Sequence, residues 1–97
     1  MVFNVSNAQE CALTLSGKVV DLQTGIPLEG AYIFVKESQR DVAVTDSSGF
    51  FEIRNLCPAK YHIQISHIGC KEKIFYVILI SDTNLAIHLN HKVLGLS

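Results

Sequence analysis

The chain has no apolar run long enough to cross a membrane as a helix. The longest, Phe75 to Ile80, falls far short of the roughly 18 residues required. It also lacks a basic stripe. Lys18, Lys36, Arg40, Arg54, Lys60, Lys71, Lys73 and Lys92 are scattered, and the formal net charge is -1. That excludes the electrostatic footprint of nucleic-acid binding. Charged residues make up only 18% of the chain and apolar residues 48%, which excludes disorder. Cysteine is sparse and odd in number: Cys11, Cys57 and Cys70. A fully paired disulfide framework is therefore excluded, and no Cys-x-x-Cys spacing offers a zinc site. The amino end lacks the basic start and long apolar core of a complete signal peptide. Ser6-Asn7-Ala8 nevertheless has small residues at a spacing that signal peptidases favour. Two readings of residues 1–8 stay open: the stump of a removed signal, or a loose leader.

Helical periodicity is missing as well, and a period of two takes its place. Leu13, Leu15, Gly17 and Val19 alternate with Thr14, Ser16 and Lys18. Ala31, Ile33 and Val35 alternate with Tyr32, Phe34 and Lys36. Glu37 to Asp41 is a polar hairpin loop, and Val42 to Thr45 a short strand. Phe51 and Ile53 face inward between Glu52 and Arg54. Tyr61, Ile63 and Ile65 do so between His62, Gln64 and Ser66. The phase slips near His67, which predicts a bulge that turns Ile68 inward. Phe75 to Ile80 is apolar on both faces and is expected at the centre of a sheet. Leu85, Ile87 and Leu89 complete the set, and residues 91–97 trail off. Seven short strands at regular spacing predict a two-sheet Greek-key sandwich. At 97 residues, folding buries roughly 65% of the unfolded surface, enough for one core.

Glycine and proline punctuate this pattern. Gly17 permits close packing of the first strand against a neighbour. Pro27 and Gly30 shape the loop that follows it. Asp46-Ser47-Ser48-Gly49 reads as a tight turn, with Asp46 bonding amides ahead of it and Gly49 at positive φ. Tyr61 sits at the base of its strand, its hydroxyl in reach of a backbone partner. Gly69 belongs to the next turn.

Chemistry is harder to find. His62 and His88 lie on outward faces of different strands, His67 at the expected bulge and His91 in the tail. Their spacings do not converge as short-range metal ligands do. Ser47 and Ser48 occupy a turn that backbone needs already explain, with no nucleophile elbow around them. Cys57 precedes Pro58 with no basic partner nearby in sequence. Asp21, Glu29, Asp46 and Glu52 are dispersed, and none pairs with another as acid and base. No glycine-rich phosphate cradle opens a helix. The expectation is no catalytic residue, no metal and no cofactor.

Several blocks carry a resemblance. They are Leu15-Ser16-Gly17-Lys18-Val19-Val20-Asp21, Thr24-Gly25-Ile26-Pro27-Leu28-Glu29-Gly30-Ala31, Val44-Thr45-Asp46-Ser47-Ser48-Gly49-Phe50-Phe51, and Tyr61 to Gly69. In order and spacing they resemble the carboxypeptidase regulatory-like domain, over about residues 13–90. The resemblance implies a transthyretin-like (prealbumin-like) sandwich in which Gly17, Pro27, Gly30, Asp46, Gly49, Phe51, Tyr61 and Gly69 have structural roles. Ile65-Ser66-His67-Ile68-Gly69 is similar to the amino-terminal extensions of TonB-dependent outer-membrane transporters of Bacteroidetes-like bacteria. Cys70 departs from that pattern, where an aromatic is usual, and so does Cys57.

That resemblance implies a non-catalytic accessory domain on the periplasmic side of the outer membrane. Its partners are the following plug and barrel of the same polypeptide, and periplasmic or outer-membrane proteins. Neither nucleic acid nor a membrane span is implied. The organisation expected is a leader or residual signal-peptide tail over 1–11, the sandwich over 12–90 and a linker toward a following domain over 91–97. Two alternatives remain: the accessory sandwich of a secreted zinc carboxypeptidase, and a surface adhesin or stalk repeat. An adhesin repeat with an isopeptide bond would use Lys18 and Asn90, but the strand Tyr61 to His67 carries no acid to promote it.

The cysteines follow from strand alternation. Cys11 and Cys57 belong at one end of the sandwich. The strand after Cys57 climbs about eight residues at ~3.3 Å each and delivers Cys70 to the other end. A disulfide needs Cα atoms within about 7 Å, so Cys70 is expected to pair with neither. Cys11 and Cys57 could pair, and an oxidising periplasm would permit it. Sharing an end does not by itself bring them together, however, and free thiols are the expectation there too.

Overall fold

Alternating apolar residues build seven strands: β1 (Leu13–Asp21), β2 (Tyr32–Val35), β3 (Val42–Val44), β4 (Phe50–Leu56), β5 (Ala59–Ser66), β6 (Lys73–Leu79) and β7 (Thr83–Leu89). The computed structural model describes residues 11–38 and 42–92, with the side chain of Val42 outside that set. Expectations for residues 1–10, for Arg40 and Asp41 in the polar hairpin loop, and for the linker beyond residue 92 lie outside the described residues. No helix occurs among the described residues.

The strands form two sheets. One has the order β4-β1-β7 and the other β3-β2-β5-β6. β1 is central in its sheet, antiparallel to β4 and parallel to β7. The two inner faces meet over one core. Leu15, Val19, Ile33, Val35, Phe51, Ile53, Tyr61, Ile63, Ile65, Ile87 and Leu89 are all buried there, as the period of two requires. Leu13 is only half-buried, packed at the core margin. Ala31, Leu56, Cys70 and Leu79 complete the buried apolar set.

Three expectations are corrected. β6 is an edge strand and not a central one, because among the described residues it pairs with β5 alone. Ile68 is 92% exposed. The bulge expected near His67 is absent, since β5 keeps an unbroken register with β2 and β6 and stops at Ser66. The register shift lies instead between Leu13 and Leu15, where β1 meets β4. Finally, Cys11 and Cys57 form a disulfide, with Cα atoms 4.4 Å apart. Cys70 is a free, buried thiol.

Glycine is required at two close approaches. A Cβ on Gly17 would stand 2.7 Å from the Phe51 ring and 2.9 Å from the Leu85 carbonyl oxygen. β1 therefore sits between β4 and β7 only because that side chain is missing. Gly49 has φ +77°, and its Cβ would lie 2.5 Å from the Val19 carbonyl oxygen. The turn before it is held by Asp46, whose Oδ1 accepts from the amides of Ser48 at 2.9 Å and Phe50 at 3.0 Å. Thr45 is buried behind this turn. Its hydroxyl donates to the Leu28 carbonyl at 2.6 Å and accepts from the Ala31 amide at 2.8 Å.

Candidate interaction face

The outer faces of the two sheets differ in chemistry. On the β4-β1-β7 sheet, strand alternation turns Ser16, Lys18, Glu52, Arg54, Asn84 and His88 outward. Asn84 Nδ2 donates to Ser16 Oγ at 2.9 Å there, and Arg54 pairs with Glu52 at 3.3 Å. This is an ordinary solvated surface.

The β3-β2-β5-β6 sheet presents the opposite. Tyr32, Phe34, Val44, Ile74, Tyr76 and Ile78 are large apolar side chains, each more than a third exposed. Register sets them in two groups, Val44, Tyr32 and Phe34 on β3 and β2 and Ile74, Tyr76 and Ile78 on β6, with the outward Lys60, His62 and Gln64 of β5 between them. Val44 pairs with Tyr32, and Phe34 stands opposite Gln64, which stands opposite Ile74. In the next rows His62 faces Tyr76 and Lys60 faces Ile78. With about 150–250 Å² of surface on an aromatic side chain, the six present on the order of 600 Å² of apolar area. Summed over both groups, that is a large apolar area for one face, and exposed apolar surface rimmed by polar residues marks interaction sites. The polar groups among them are already engaged. His62 Nδ1 donates to Glu37, and Gln64 Nε2 donates to Glu72. Lys60 Nζ lies 4.3 Å from the Tyr76 ring centroid, a cation–π contact. A shallow groove between Phe34, Lys36, His62, Gln64 and Ile74 crosses the middle of the face. The face presents apolar side chains to a partner surface, with the His62–Glu37 pair beside them.

A second meeting of titratable groups lies at one end of the sandwich, and the sequence did not foretell it. Asp21 and His91 are 70 residues apart, yet His91 Nδ1 donates to the Asp21 carboxylate at 2.9 Å. Asp21 is buried. Burial alone would push its pKa up, but the His91 bond and the amides of Gln23 and Thr24 outweigh it and hold the carboxyl below its ordinary value. Cys70 forms an isolated bridge with His91, so cysteine, histidine and aspartate gather at one end. The thiol is not activated. Burial, then the Asp21 charge, pushes the Cys70 pKa up, the reverse of what a nucleophile needs. Cys70 is a small core residue here, and His91 docks the segment after β7 rather than trailing off. Lys71 and Lys92 strengthen that docking through backbone bonds to Asn90 and Gly69.

The remaining histidines are equally local. His67 Nε2 donates to the Glu29 carbonyl at 3.1 Å, and its Nδ1 accepts from the Gly69 amide at 3.1 Å. Glu37 is held down to about 2, first by the His62 side chain and then by the His62 amide. No group of three or more metal-ligating side chains occurs among the described residues.

The residues singled out in the sequence divide into four places, none of them on the apolar face. Gly17 and Phe51 touch between the sheets. Pro27, Gly30, Asp46 and Gly49 surround the far end of β1, where Gly49 lies against Pro27 and the Val19 carbonyl. Tyr61 Oη donates to the Cys57 carbonyl at 2.7 Å, steadying the disulfide-bearing loop. Gly69 lies in the β5–β6 turn, at His67. Lys18 is exposed on β1 and Asn90 accepts from Gln23 at 3.0 Å, so nothing joins the two as an isopeptide pair would.

Comparison with known proteins sets this arrangement in context. The family model of the CarboxypepD_reg-like domain matches residues 15–96. No curated protein matches the chain significantly. Among solved structures, a C-terminal interface mutant of the type II cohesin–X-dockerin complex from Acetivibrio cellulolyticus superposes with a TM-score of 0.69 at 24% identity. That match covers 79% of this chain and 56% of the other. The N-terminal interface mutant of the same complex gives 0.65 at 25% identity, with the same coverage. BcpA, the major pilin subunit of Bacillus cereus, gives 0.65 at 13% identity, covering 84% of this chain and 30% of the pilin. The chain thus spans little more than half the length of the cohesin–X-dockerin chains it matches. These likenesses are of β-sandwich fold.

Proposed function

The chain belongs to the carboxypeptidase regulatory-like domain family, and on that premise we propose that it is a non-catalytic interaction module on the periplasmic side of a TonB-dependent outer-membrane transporter. It stands ahead of the plug and barrel of the same polypeptide and meets periplasmic or outer-membrane partner proteins. The observation that carries this reading is the exposed apolar face of the β3-β2-β5-β6 sheet, set on a sandwich whose titratable groups serve packing and docking. Two further features support it. Ile65-Ser66-His67-Ile68-Gly69 resembles the block typical of such extensions. The Cys11–Cys57 disulfide suits an oxidising compartment such as the periplasm.

The test uses the parent polypeptide. Its flanking sequence should encode a plug and barrel. Deleting residues 13–89 should leave the barrel assembled in the outer membrane and impair nutrient uptake, and Phe34→Ser with Tyr76→Ser should reproduce the defect. A flanking metallopeptidase or tandem repeats would replace this reading with a secreted carboxypeptidase accessory domain or an adhesin stalk. Unchanged uptake after the deletion would leave it without support.

A further inference from the structure

Each sheet has two edges, and three of the four are blunted. β3 is three residues long. β4 meets β1 through a register shift and carries Asn55 at φ 62° near its end. β7 turns Asn84, Ala86 and His88 outward. Among the described residues β6 has no such protection beyond Lys73 at its start. It runs seven residues in unbroken register with β5, contains no proline, and alternates large apolar residues on both sides. Natural sheets rarely leave such an edge unpaired, because its free N–H and C=O groups are a template for another strand.

The strand is also close to a palindrome. Ile74-Phe75-Tyr76-Val77-Ile78 reads apolar–aromatic–tyrosine–apolar–apolar in one direction and nearly the same in the other. We propose that β6 pairs antiparallel with β6 of a second copy, about a two-fold axis at Tyr76, joining two four-stranded sheets into one of eight. In that register Ile74 faces Ile78 of the second copy and Phe75 faces its Val77. Lys73 faces Leu79, so no like charges oppose one another. A two-fold interface must be self-complementary in this way. Phe75 and Val77, half-buried in the single chain, complete their burial. The edge and its flanking side chains supply a few hundred Å² per copy, below the ~800 Å² of a standard interface. The dimer is accordingly weak, with a Kd of order micromolar. It goes beyond the accessory-module reading, which stands or falls on uptake by the parent protein and not on self-association.

Sedimentation of the 97-residue chain from about 1 μM to 1 mM tests it. A monomer–dimer equilibrium is expected. Tyr76→Lys places two like charges at the axis and should raise the Kd by about a hundredfold or more. Tyr76 is 57% exposed, so circular dichroism should show an intact fold. Ile74→Lys and Ile78→Glu should each associate poorly alone, and an equimolar mixture should recover dimer, because position 74 opposes position 78. A chain monomeric throughout, a Tyr76→Lys variant that dimerises as well as wild type, or a mixture no better than its components would overturn the proposal. So would a monomer that dimerises only after residues 1–10 are removed, since those residues would then be the occupant of the edge.

Discussion

Breaking the Cys11–Cys57 bond tests the chain path. The two cysteines are 46 residues apart in sequence, and the loop they close contains all of β1 to β4. In the chain-entropy account, closing a loop of that length removes about 4 kcal/mol of denatured-state freedom, and removal of native disulfides from small domains typically costs about 2–5 kcal/mol. The perturbation is clean. Cys57 is exposed and Cys11 half-buried, so serine at both leaves no core cavity. The Tyr61 hydroxyl bonds the Cys57 backbone carbonyl, which substitution leaves in place. Urea denaturation of Cys11→Ser/Cys57→Ser beside wild type should therefore show a loss of about 2–4 kcal/mol. Reductant should lower the wild-type midpoint to that of the variant and leave the variant unmoved. Alkylation in denaturant without reductant, read by mass spectrometry, should label Cys70 alone. Three labelled cysteines, equal midpoints for the two proteins, or a Cys57–Cys70 bridge would refute the reasoning.

Other outcomes follow from single contacts. Gly49→Val should cost far more than Ser48→Ala, because position 49 combines positive φ with a Cβ contact of 2.5 Å, while Ser48 contributes its amide, which alanine keeps; equal melting temperatures would contradict the turn. Thr45→Val should cost about 1–3 kcal/mol in urea denaturation, since the Leu28 carbonyl and Ala31 amide both lose the buried hydroxyl. Glu37 has a folded pKa of about 2 against an ordinary 4.5, so its contribution is present above 4.5 and lost as pH falls toward 2. Glu37→Gln should flatten the urea-denaturation stability profile between those limits; an unchanged profile there would contradict the pairing. Ile63→Ala, at a fully buried position, should cost about 2–5 kcal/mol.

Much of the fold was legible because burial on one face imposes a period of two, and that period survives in the sequence. Leu15, Val19, Ile33, Ile63 and Ile87 follow it into the core. β6 shows where the inference fails. A strand apolar on both faces signals that both faces want cover, but alternation cannot say whether the cover is a neighbouring strand or something outside the chain. Ile68 misled for a related reason: an isolated isoleucine in a turn is free to stay exposed, since no strand phase governs it. The Asp21–His91 pair joins β1 to the segment after β7, a contact created by the parallel β1–β7 ladder. No local spacing encodes such a meeting. The cysteine pair was half legible, in that strand alternation fixed its end of the sandwich and the loop conformation settled the contact.

The parallel β1–β7 ladder also governs how the domain carries mechanical load. β1 and β7 are nearest neighbours over seven registered pairs, from Leu15–Thr83 to Asp21–Leu89. Because they run the same way, the chain enters at one pole, at Cys11, and leaves at the other, at His91. Tension between those points pulls the two strands past each other along their length. Their hydrogen bonds are then strained together in shear, instead of parting one at a time as in an unzipped hairpin. The Cys11–Cys57 bond shares that pull with the β4–β5 loop, and the Cys70–His91 bridge spreads it into the β5–β6 turn. Placed in line between two tugging segments, this sandwich acts as a stiff coupling.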